Sequence, residues 1–111
     1  MSTAQELAGW VRVCAEHELA EGDFRVVFDG DTAIAVFRCE GGLHAVEDVC
    51  THDGAELAGG PVEGCVVECP RHGARFDLRT GAVLAPPACL PIAVFPLRVH
   101  DGTIYTRDDR D

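Results

Sequence analysis

The apolar residues of this chain fall into short runs that are separated by turn-forming residues. Three such runs are "WVRVC" (10–14), "FRVVF" (24–28) and "TAIAVFR" (32–38). The second and third runs flank Asp29-Gly30, a dipeptide that favours a tight hairpin. The polar stretch at 15–22 allows at most a helical turn or two, and no segment sustains the 3.6-residue period of a helix. The pattern therefore predicts an all-β, mainly antiparallel fold.

The later part of the chain divides into two kinds of sequence. A turn at 40–42 leads into "LHAVED", and a last hairpin is predicted on either side of Asp101-Gly102. Residues 50–91 are instead rich in Gly, Pro and Cys, and only "CVVEC" (65–69) has clear strand character.

These differences predict how a single domain covering residues 1–111 is organised. We expect an antiparallel β-sandwich-like base from about 1–45 and 92–111, with a loop-rich lobe inserted at about 46–91. No internal repeat is apparent, and the acidic tail "RDDRD" is expected to fray.

Length and charge narrow the possible functions. A chain of 111 residues is long enough for one modest core. Its formal charge of −10, from 19 acidic and 9 basic residues, would repel nucleic acid and anionic membranes. The acidity favours a positively charged protein partner, or serves only solubility. The N-terminal "MSTAQELAGW" lacks the features of a secretory signal and no apolar run is long enough to span a bilayer, so we expect a cytoplasmic protein.

The chain has six cysteines, and a reducing cytosol argues against a disulfide framework. Cys14 and Cys39 lie in apparent strands and are predicted to be buried apolar side chains. A labile disulfide between Cys65 and Cys89 is possible but not favoured. Three histidines have no partner at ligand spacing and are interpreted as ordinary histidines: His17, His44 and His100.

Four residues form a motif of potential metal ligands. Cys50 and His52 are spaced C-x-H, Cys69 and His72 are spaced C-x-x-H, and sixteen residues lie between the two pairs. Two thiolates and two imidazoles could hold either zinc or an iron–sulfur cluster. Structural zinc sites commonly use C-x-x-C knuckles, whereas here each loop offers one sulfur and one nitrogen. This distribution suits a cluster in which one iron takes both cysteines and the other takes both histidines.

The segments "CTHDG" and "CPRHGARFDLRTG" resemble the two cluster-binding loops of the Rieske 2Fe-2S proteins. The resemblance covers about residues 10–107. It implies the Rieske fold and one 2Fe-2S cluster, with Cys50 and Cys69 on the inner iron and His52 and His72 on the outer iron. Phe76 and nearby prolines would shield the cluster.

The resemblance also indicates the redox potential. High-potential respiratory members carry an additional cysteine in each loop and a serine after the second His-Gly. This chain has Ala55, Arg71 and Ala74 at those positions. Because hydrogen bonds to the sulfurs raise the potential, we expect a value near the low end of the Rieske range.

The chain resembles the ferredoxin component of multicomponent aromatic-ring dioxygenases, and its segment "TGAVLAPPACLPIAVFPLRVHDG" (80–102) is similar to that group's connection from the cluster lobe back to the base. The resemblance implies a monomeric one-electron carrier without substrate chemistry, which passes electrons from an NAD(P)H-dependent flavoprotein reductase to a terminal oxygenase. Three alternatives stay open: a Rieske ferredoxin of iron–sulfur cluster assembly, a nitrite reductase small subunit, and a zinc-stabilised binding module.

Overall fold

A computed structural model describes residues 7–51, 54–88 and 90–110 of the chain. The described residues form eleven strands and one short 3-10 helix, Glu16–Glu18, with no α-helix among them. No helix in this part of the chain has the length and hydropathy needed to cross a membrane. The predicted all-β, antiparallel class is confirmed.

The strands are grouped into three antiparallel sheets. In chain order they are β1 (Val11–Ala15), β2 (Phe24–Asp29), β3 (Thr32–Cys39), β4 (Gly42–Glu47), β5 (Val62–Glu63), β6 (Val66–Glu68), β7 (Arg75–Asp77), β8 (Val83–Ala85), β9 (Val94–Phe95), β10 (Leu97–His100) and β11 (Thr103–Thr106). Sheet A has the order β1-β11-β10, sheet B the order β2-β3-β4-β9, and sheet C the order β5-β6-β7-β8.

The hairpins predicted from turn residues are present. β2 pairs with β3 from Phe24↔Phe37 to Asp29↔Thr32, directly beside the Asp-Gly dipeptide. The β3–β4 turn is made by Glu40 and Gly41, whose φ angles of 51° and 79° fit a tight two-residue hairpin turn. β10 and β11 meet at Asp101-Gly102 in the same way.

The middle of the chain contains more strand than the sequence predicts. Beyond the strand expected at 65–69, which is observed as β6, residues 62–85 contribute β5, β7 and β8 to sheet C. Most of the described residues between 46 and 91 nevertheless lie outside strands, so the lobe is rich in loops, as predicted. These extra strands are two or three residues long, which is too short for a period-2 pattern to be recognised.

Strand β3 separates two hydrophobic cores. Ile34 and Val36 point to a core shared by sheets A and B, whereas Ala35 and Phe37 point to a larger core shared with sheet C. Successive side chains of a strand point to opposite faces, so a strand covered on both sides is apolar at nearly every position. This is why "TAIAVFR" lacks the alternation of a half-exposed strand.

One cysteine prediction needs correction. Cys39 and Cys65, 26 residues apart, form a disulfide between the end of β3 and the β5–β6 turn. Cys39 is buried as expected, but it is not a lone apolar side chain, and Cys89, the other partner considered for Cys65, lies outside the described residues. The pairing could not be found from spacing because the fold brings together two turns that are distant in sequence. Cys14 is a buried thiol, as predicted.

The C-terminal tail is held against the domain up to Arg110, contrary to the expected fraying. Arg110 contacts the carboxylates of Glu47 at 3.1 Å and Asp108 at 2.9 Å, and its guanidinium lies 5.1 Å from the centroid of the Phe95 ring. Asp108 also accepts a hydrogen bond from the hydroxyl of Thr32 at 2.7 Å. The fraying was predicted from the composition of the tail, and composition does not reveal these specific ion pairs and hydrogen bonds.

Candidate metal centre

Two of the four predicted ligands lie in the larger core. Cys50 follows β4 after two residues, and Cys69 directly follows β6. Each is only 1% exposed, and both belong to the same group of packed residues, together with Phe76 and Leu57. The structure thus brings the sulfur-bearing ends of the two motif loops to one apolar region.

The two cysteine loops have the same backbone hydrogen bonds. The N–H of Cys50 donates to the carbonyl of Ala55 at 2.7 Å, and the N–H of Gly54 donates back to the carbonyl of Cys50 at 2.7 Å. In the second loop, Cys69 donates to Ala74 at 2.7 Å and Gly73 donates to Cys69 at 3.0 Å. Each cysteine therefore sits at the same position of one loop geometry.

Glycine is required at one position of each of these loops. Gly54 and Gly73 have φ angles of 79° and 80°, a left-handed conformation that side chains with a Cβ rarely adopt. A Cβ built on either residue meets no atom within 4 Å, so the requirement is conformational and not steric.

A third loop repeats this geometry without a cysteine. Asp77 donates its N–H to the carbonyl of Ala82 at 2.9 Å, and Gly81, with φ of 80°, donates to the carbonyl of Asp77 at 2.7 Å. This repeat was not predicted from the sequence, although a Gly-Ala pair follows the first loop position by four and five residues in all three loops. The N–H of Arg79 donates to the Asp77 carboxylate, and this hydrogen bond holds the pKa of Asp77 below its usual value.

The one predicted histidine ligand among the described residues is placed differently from the cysteines. His72 lies in an exposed turn between Cys69 and Gly73, beside the exposed Arg71. His52 lies outside the described residues. An exposed imidazole three residues after a buried thiol is the arrangement expected of a centre with one shielded and one solvent-facing side.

A buried carboxylate supports the first loop, and sequence analysis did not single it out. Asp48 is 6% exposed, and its Oδ1 accepts hydrogen bonds from the N–H groups of Leu57 and Ala58, both at 2.8 Å. These bonds fix the chain that returns from the loop. The available signal was an acidic residue directly after the apolar strand β4 and two positions before Cys50.

The first loop is also tied to the segment after β8. The hydroxyl of Thr51 donates to the carbonyl of Leu90 at 2.6 Å. The side chain of Leu90 is 64% exposed, which places a large apolar group on the surface beside the first loop.

The donor set of the two loops fits a 2Fe-2S cluster. Two thiols in a dry region suit one iron, and a surface imidazole suits the other. Ala74 is fully buried and supplies no hydroxyl to the second loop. Phe76, for which either cluster shielding or core packing is expected, is completely buried in the same core as both cysteines.

Among the described residues, a second group of potential metal ligands lies at another place. The ligand atoms of Cys39, His44 and Cys65 lie within 4.8 Å of one another, with the two cysteines joined as a disulfide. His44, interpreted from the sequence as an ordinary histidine because no partner lies at ligand spacing, is thus brought close to two sulfur atoms by the fold. None of these three residues belongs to the C-x-H and C-x-x-H motifs.

Comparison with known proteins agrees with the motif. The family model described as "Rieske [2Fe-2S] domain" matches residues 9–96. The anthranilate 1,2-dioxygenase ferredoxin subunit of Burkholderia cepacia is 39% identical over 102 residues, which cover 92% of this chain and 94% of that protein.

Two solved structures contain chains that are similar to this one. A complex of reduced oxygenase and oxidised ferredoxin in carbazole 1,9a-dioxygenase contains a chain with a TM-score of 0.85 and 37% identity, covering 89% of this chain and 93% of that one. A Mycobacterium tuberculosis structure described as a candidate NADH-dependent nitrite reductase small subunit has a TM-score of 0.76 and 31% identity, covering 87% and 92%. With a matching family model across most of its length and relatives of nearly the same size, this chain belongs to the Rieske [2Fe-2S] domain family.

Proposed function

We propose that this protein is the ferredoxin of an aromatic-ring dioxygenase system and carries one electron at a time. The observation that carries the proposal is the equivalent placement of Cys50 and Cys69 in two matched loops, with His72 exposed beside the second. A Rieske cluster supplies reversible one-electron oxidation and reduction when bound. The family relatives named as ferredoxin components support electron transfer in place of substrate chemistry.

The proposed ligands follow from the donor set. Cys50 and Cys69 hold the inner iron as thiolates, and His52 and His72 hold the outer iron through ring nitrogens. Residues 46–91 act as the cluster-binding lobe, and the remaining residues act as the base. The described part of the lobe supports this role because its glycine-dependent loops orient both cysteines into one core.

The proposed potential lies near the low end of the Rieske range, about −150 mV. Ala55 and Arg71 take the positions that carry bridging cysteines in high-potential members, and Ala74 has no hydroxyl. Fewer hydrogen-bond donors to the sulfurs leave the reduced cluster less stabilised.

The proposed partners are a flavoprotein reductase and a terminal oxygenase. His72 and Leu90 offer an exposed polar and apolar edge at the candidate centre. A net charge of −10 would steer this edge toward positively charged docking sites. Contacts of this kind are small and transient, which suits a monomeric carrier that alternates between partners in the cytoplasm.

Electron delivery can be tested with purified components. NADH, a dioxygenase-system reductase and cytochrome c are mixed with increasing amounts of the holoprotein. The rate of cytochrome c reduction should rise in proportion to this chain, and stopped-flow mixing should show one electron passed per chain to a terminal oxygenase. The Cys69→Ser variant should fail, whereas His17→Gln, distant from both motif loops in sequence, should match the wild type. A rate of cytochrome c reduction that does not depend on the concentration of this protein would contradict the proposal.

The nitrite reductase small subunit is a second candidate because one structure described in that way is also similar. A subunit of that kind would remain bound to one partner and would not shuttle. Stable co-elution with a nitrite reductase large subunit, together with no electron transfer to an oxygenase, would favour it.

A further inference from the structure

The Cys39–Cys65 disulfide lies at a junction between two sheets. Cys39 is the last residue of β3 in sheet B, and Cys65 lies in the turn that joins β5 and β6 of sheet C. A second contact between the two sheets is made by Arg79, in the loop that joins β7 and β8 of sheet C, which contacts the carboxylate of Glu40 at 3.2 Å. The carbonyl of Cys65 accepts a hydrogen bond from Leu78 at 2.8 Å, so the position of this residue is fixed from several sides.

A third ligand-bearing side chain reaches the same place. His44 lies on β4, the neighbour of β3 in sheet B, and one of its ring nitrogens is within 4.8 Å of both sulfurs. Three ligand atoms around one tetrahedral zinc ion, at bonds of about 2.0–2.3 Å, lie roughly 3.3–3.8 Å apart. Small side-chain rotations therefore suffice to place these ligands around one ion.

The local chain at Gly42 and at Cys65 accommodates these side chains. A Cβ built on Gly42 would approach the Nε2 atom of His44 to 3.2 Å, so glycine leaves room for the imidazole ring. Cys65 has a φ angle of 60°, in a two-residue turn where glycine or asparagine is expected. A cysteine in this left-handed conformation costs backbone strain, and its side chain supplies the sulfur that is bonded to Cys39.

We propose that Cys39, Cys65 and His44 bind one Zn²⁺ ion when the disulfide is reduced. A dithiol or phosphine reductant supplies two electrons to the sulfur–sulfur bond and is itself oxidised. The two thiols then lose their protons to solvent as the thiolates bind the metal, with the neutral imidazole as the third ligand and water in the fourth position. Sulfur and nitrogen ligands favour zinc over the hard cations Mg²⁺ and Ca²⁺.

The consequence for the fold is that sheets B and C remain linked in either redox state. Under oxidising conditions the link is the disulfide, and under reducing conditions it is the metal. This site is separate from the ligands of the proposed iron–sulfur cluster and does not depend on the proposed electron-carrier function.

The test uses the holoprotein with its cluster intact. The protein is reduced anaerobically with tris(2-carboxyethyl)phosphine, freed of the reductant and titrated with Co²⁺ as a spectroscopic substitute for Zn²⁺. The Co²⁺ spectrum is taken as the difference from the metal-free holoprotein, and iron per chain is measured before and after. One Co²⁺ per chain with thiolate charge-transfer bands is expected, with no loss of iron. Competition with Zn²⁺ should then remove these bands.

Variants assign the ligands. Cys39→Ser, Cys65→Ser and His44→Gln should each weaken Zn²⁺ binding by about tenfold or more, because each removes one metal–ligand bond. Cys14→Ser and His17→Gln are matched controls outside the site and should bind as the wild type does. His44→Gln also leaves the disulfide in place, so its folding in the oxidised state can be checked independently.

Three results would overturn the proposal. The first is a disulfide that resists the reductant under native conditions, the second is Co²⁺ binding that is equally strong in the wild type and in Cys39→Ser, and the third is metal uptake that occurs only with loss of cluster iron. In the last case the metal would be replacing iron at the motif cysteines.

Discussion

Cys50 and Cys69 occupy the same position in two loops with the same backbone hydrogen bonds. Each donates its N–H to the carbonyl of the residue five positions later at 2.7 Å, and each accepts a hydrogen bond from a glycine four positions later. Loops of the same shape thus bring both cysteines into one core. This repetition supports the proposal that Cys50 and Cys69 share one iron and leave the other iron to the histidines.

The three loop glycines should differ in how well they tolerate alanine. At Gly54 and Gly73 the cost is that of a left-handed conformation, about 1–2 kcal/mol, because nothing lies near the added Cβ. At Gly81 the Cβ would also lie 2.2 Å from the carbonyl oxygen of Ile92, and overpacking of about 1–3 kcal/mol adds to the conformational cost. Anaerobic thermal unfolding should therefore give the lowest midpoint for Gly81→Ala. Equal midpoints for all three variants would contradict the loop geometry.

Asp48 should stabilise the first loop because its Oδ1 accepts two hydrogen bonds, and the negative charge of the side chain should contribute less. Asp48→Ala leaves the N–H groups of Leu57 and Ala58 without this acceptor, at a cost of about 2–3 kcal/mol. Asp48→Asn keeps an oxygen acceptor and should lose less. Iron content per chain and the thermal midpoint are the measurements, with Glu56→Ala, a nearby exposed acidic residue, as the control. Similar losses in the alanine and asparagine variants would show that the carboxylate charge matters instead.

Replacing a histidine ligand by cysteine should lower the potential. His72→Cys adds a negative thiolate in place of a neutral imidazole, which disfavours the reduced cluster. The expected shift is about 100 mV or more, roughly half the gap between Rieske and plant-type centres. His17→Cys adds a thiol outside the motif and should leave the midpoint unchanged. An unchanged or higher midpoint for His72→Cys would argue that this histidine does not bind iron.

The C-terminal ion pairs should make a pH-dependent contribution to stability. The guanidinium of Arg110, followed by the hydroxyl of Thr32, holds the pKa of Asp108 well below its ordinary value of 3.8. The carboxylate of Asp108 in turn raises the pKa of Arg110. Because the folded-state pKa of Asp108 is lowered, its stabilisation is fully present above the unfolded-state value and is lost as the pH falls below it.

Asp108→Asn should therefore lower the thermal midpoint, and the decrease should be constant from pH 8 to about pH 5. The decrease should become smaller only as the pH approaches the ordinary pKa of a carboxyl group. Asp109→Asn makes the same charge change on an exposed neighbour and should have little effect. A difference between the Asp108 variant and the wild type that disappears already near neutral pH would contradict the assigned contacts.

The strands and the family could be predicted from sequence because their signals are local. Dipeptides such as Asp29-Gly30 and Asp101-Gly102 specify hairpins within a few residues, and the Cys50 and Cys69 motifs have distinctive spacing. Strands β5, β7 and β8 of sheet C escaped prediction because two or three residues carry no measurable period.

Contacts between distant parts of the chain could not be predicted in the same way. The Cys39–Cys65 disulfide, its neighbour His44 and the pairing of Arg110 with Glu47 all depend on how the hairpins and the tail pack together. Spacing along the sequence carries no information on such packing. Asp48 was missed for a related reason, since its partners lie nine and ten residues away across a loop.

We propose that a Rieske cluster is bound by Cys50, His52, Cys69 and His72. The electron paramagnetic resonance spectrum of the dithionite-reduced protein tests this proposal, with the midpoint potential taken from the same titration. We expect a rhombic signal whose average g value lies clearly below that of a four-cysteine cluster, with a one-electron midpoint near the low end of the Rieske range. A colourless, silent protein that contains zinc in place of iron would contradict it.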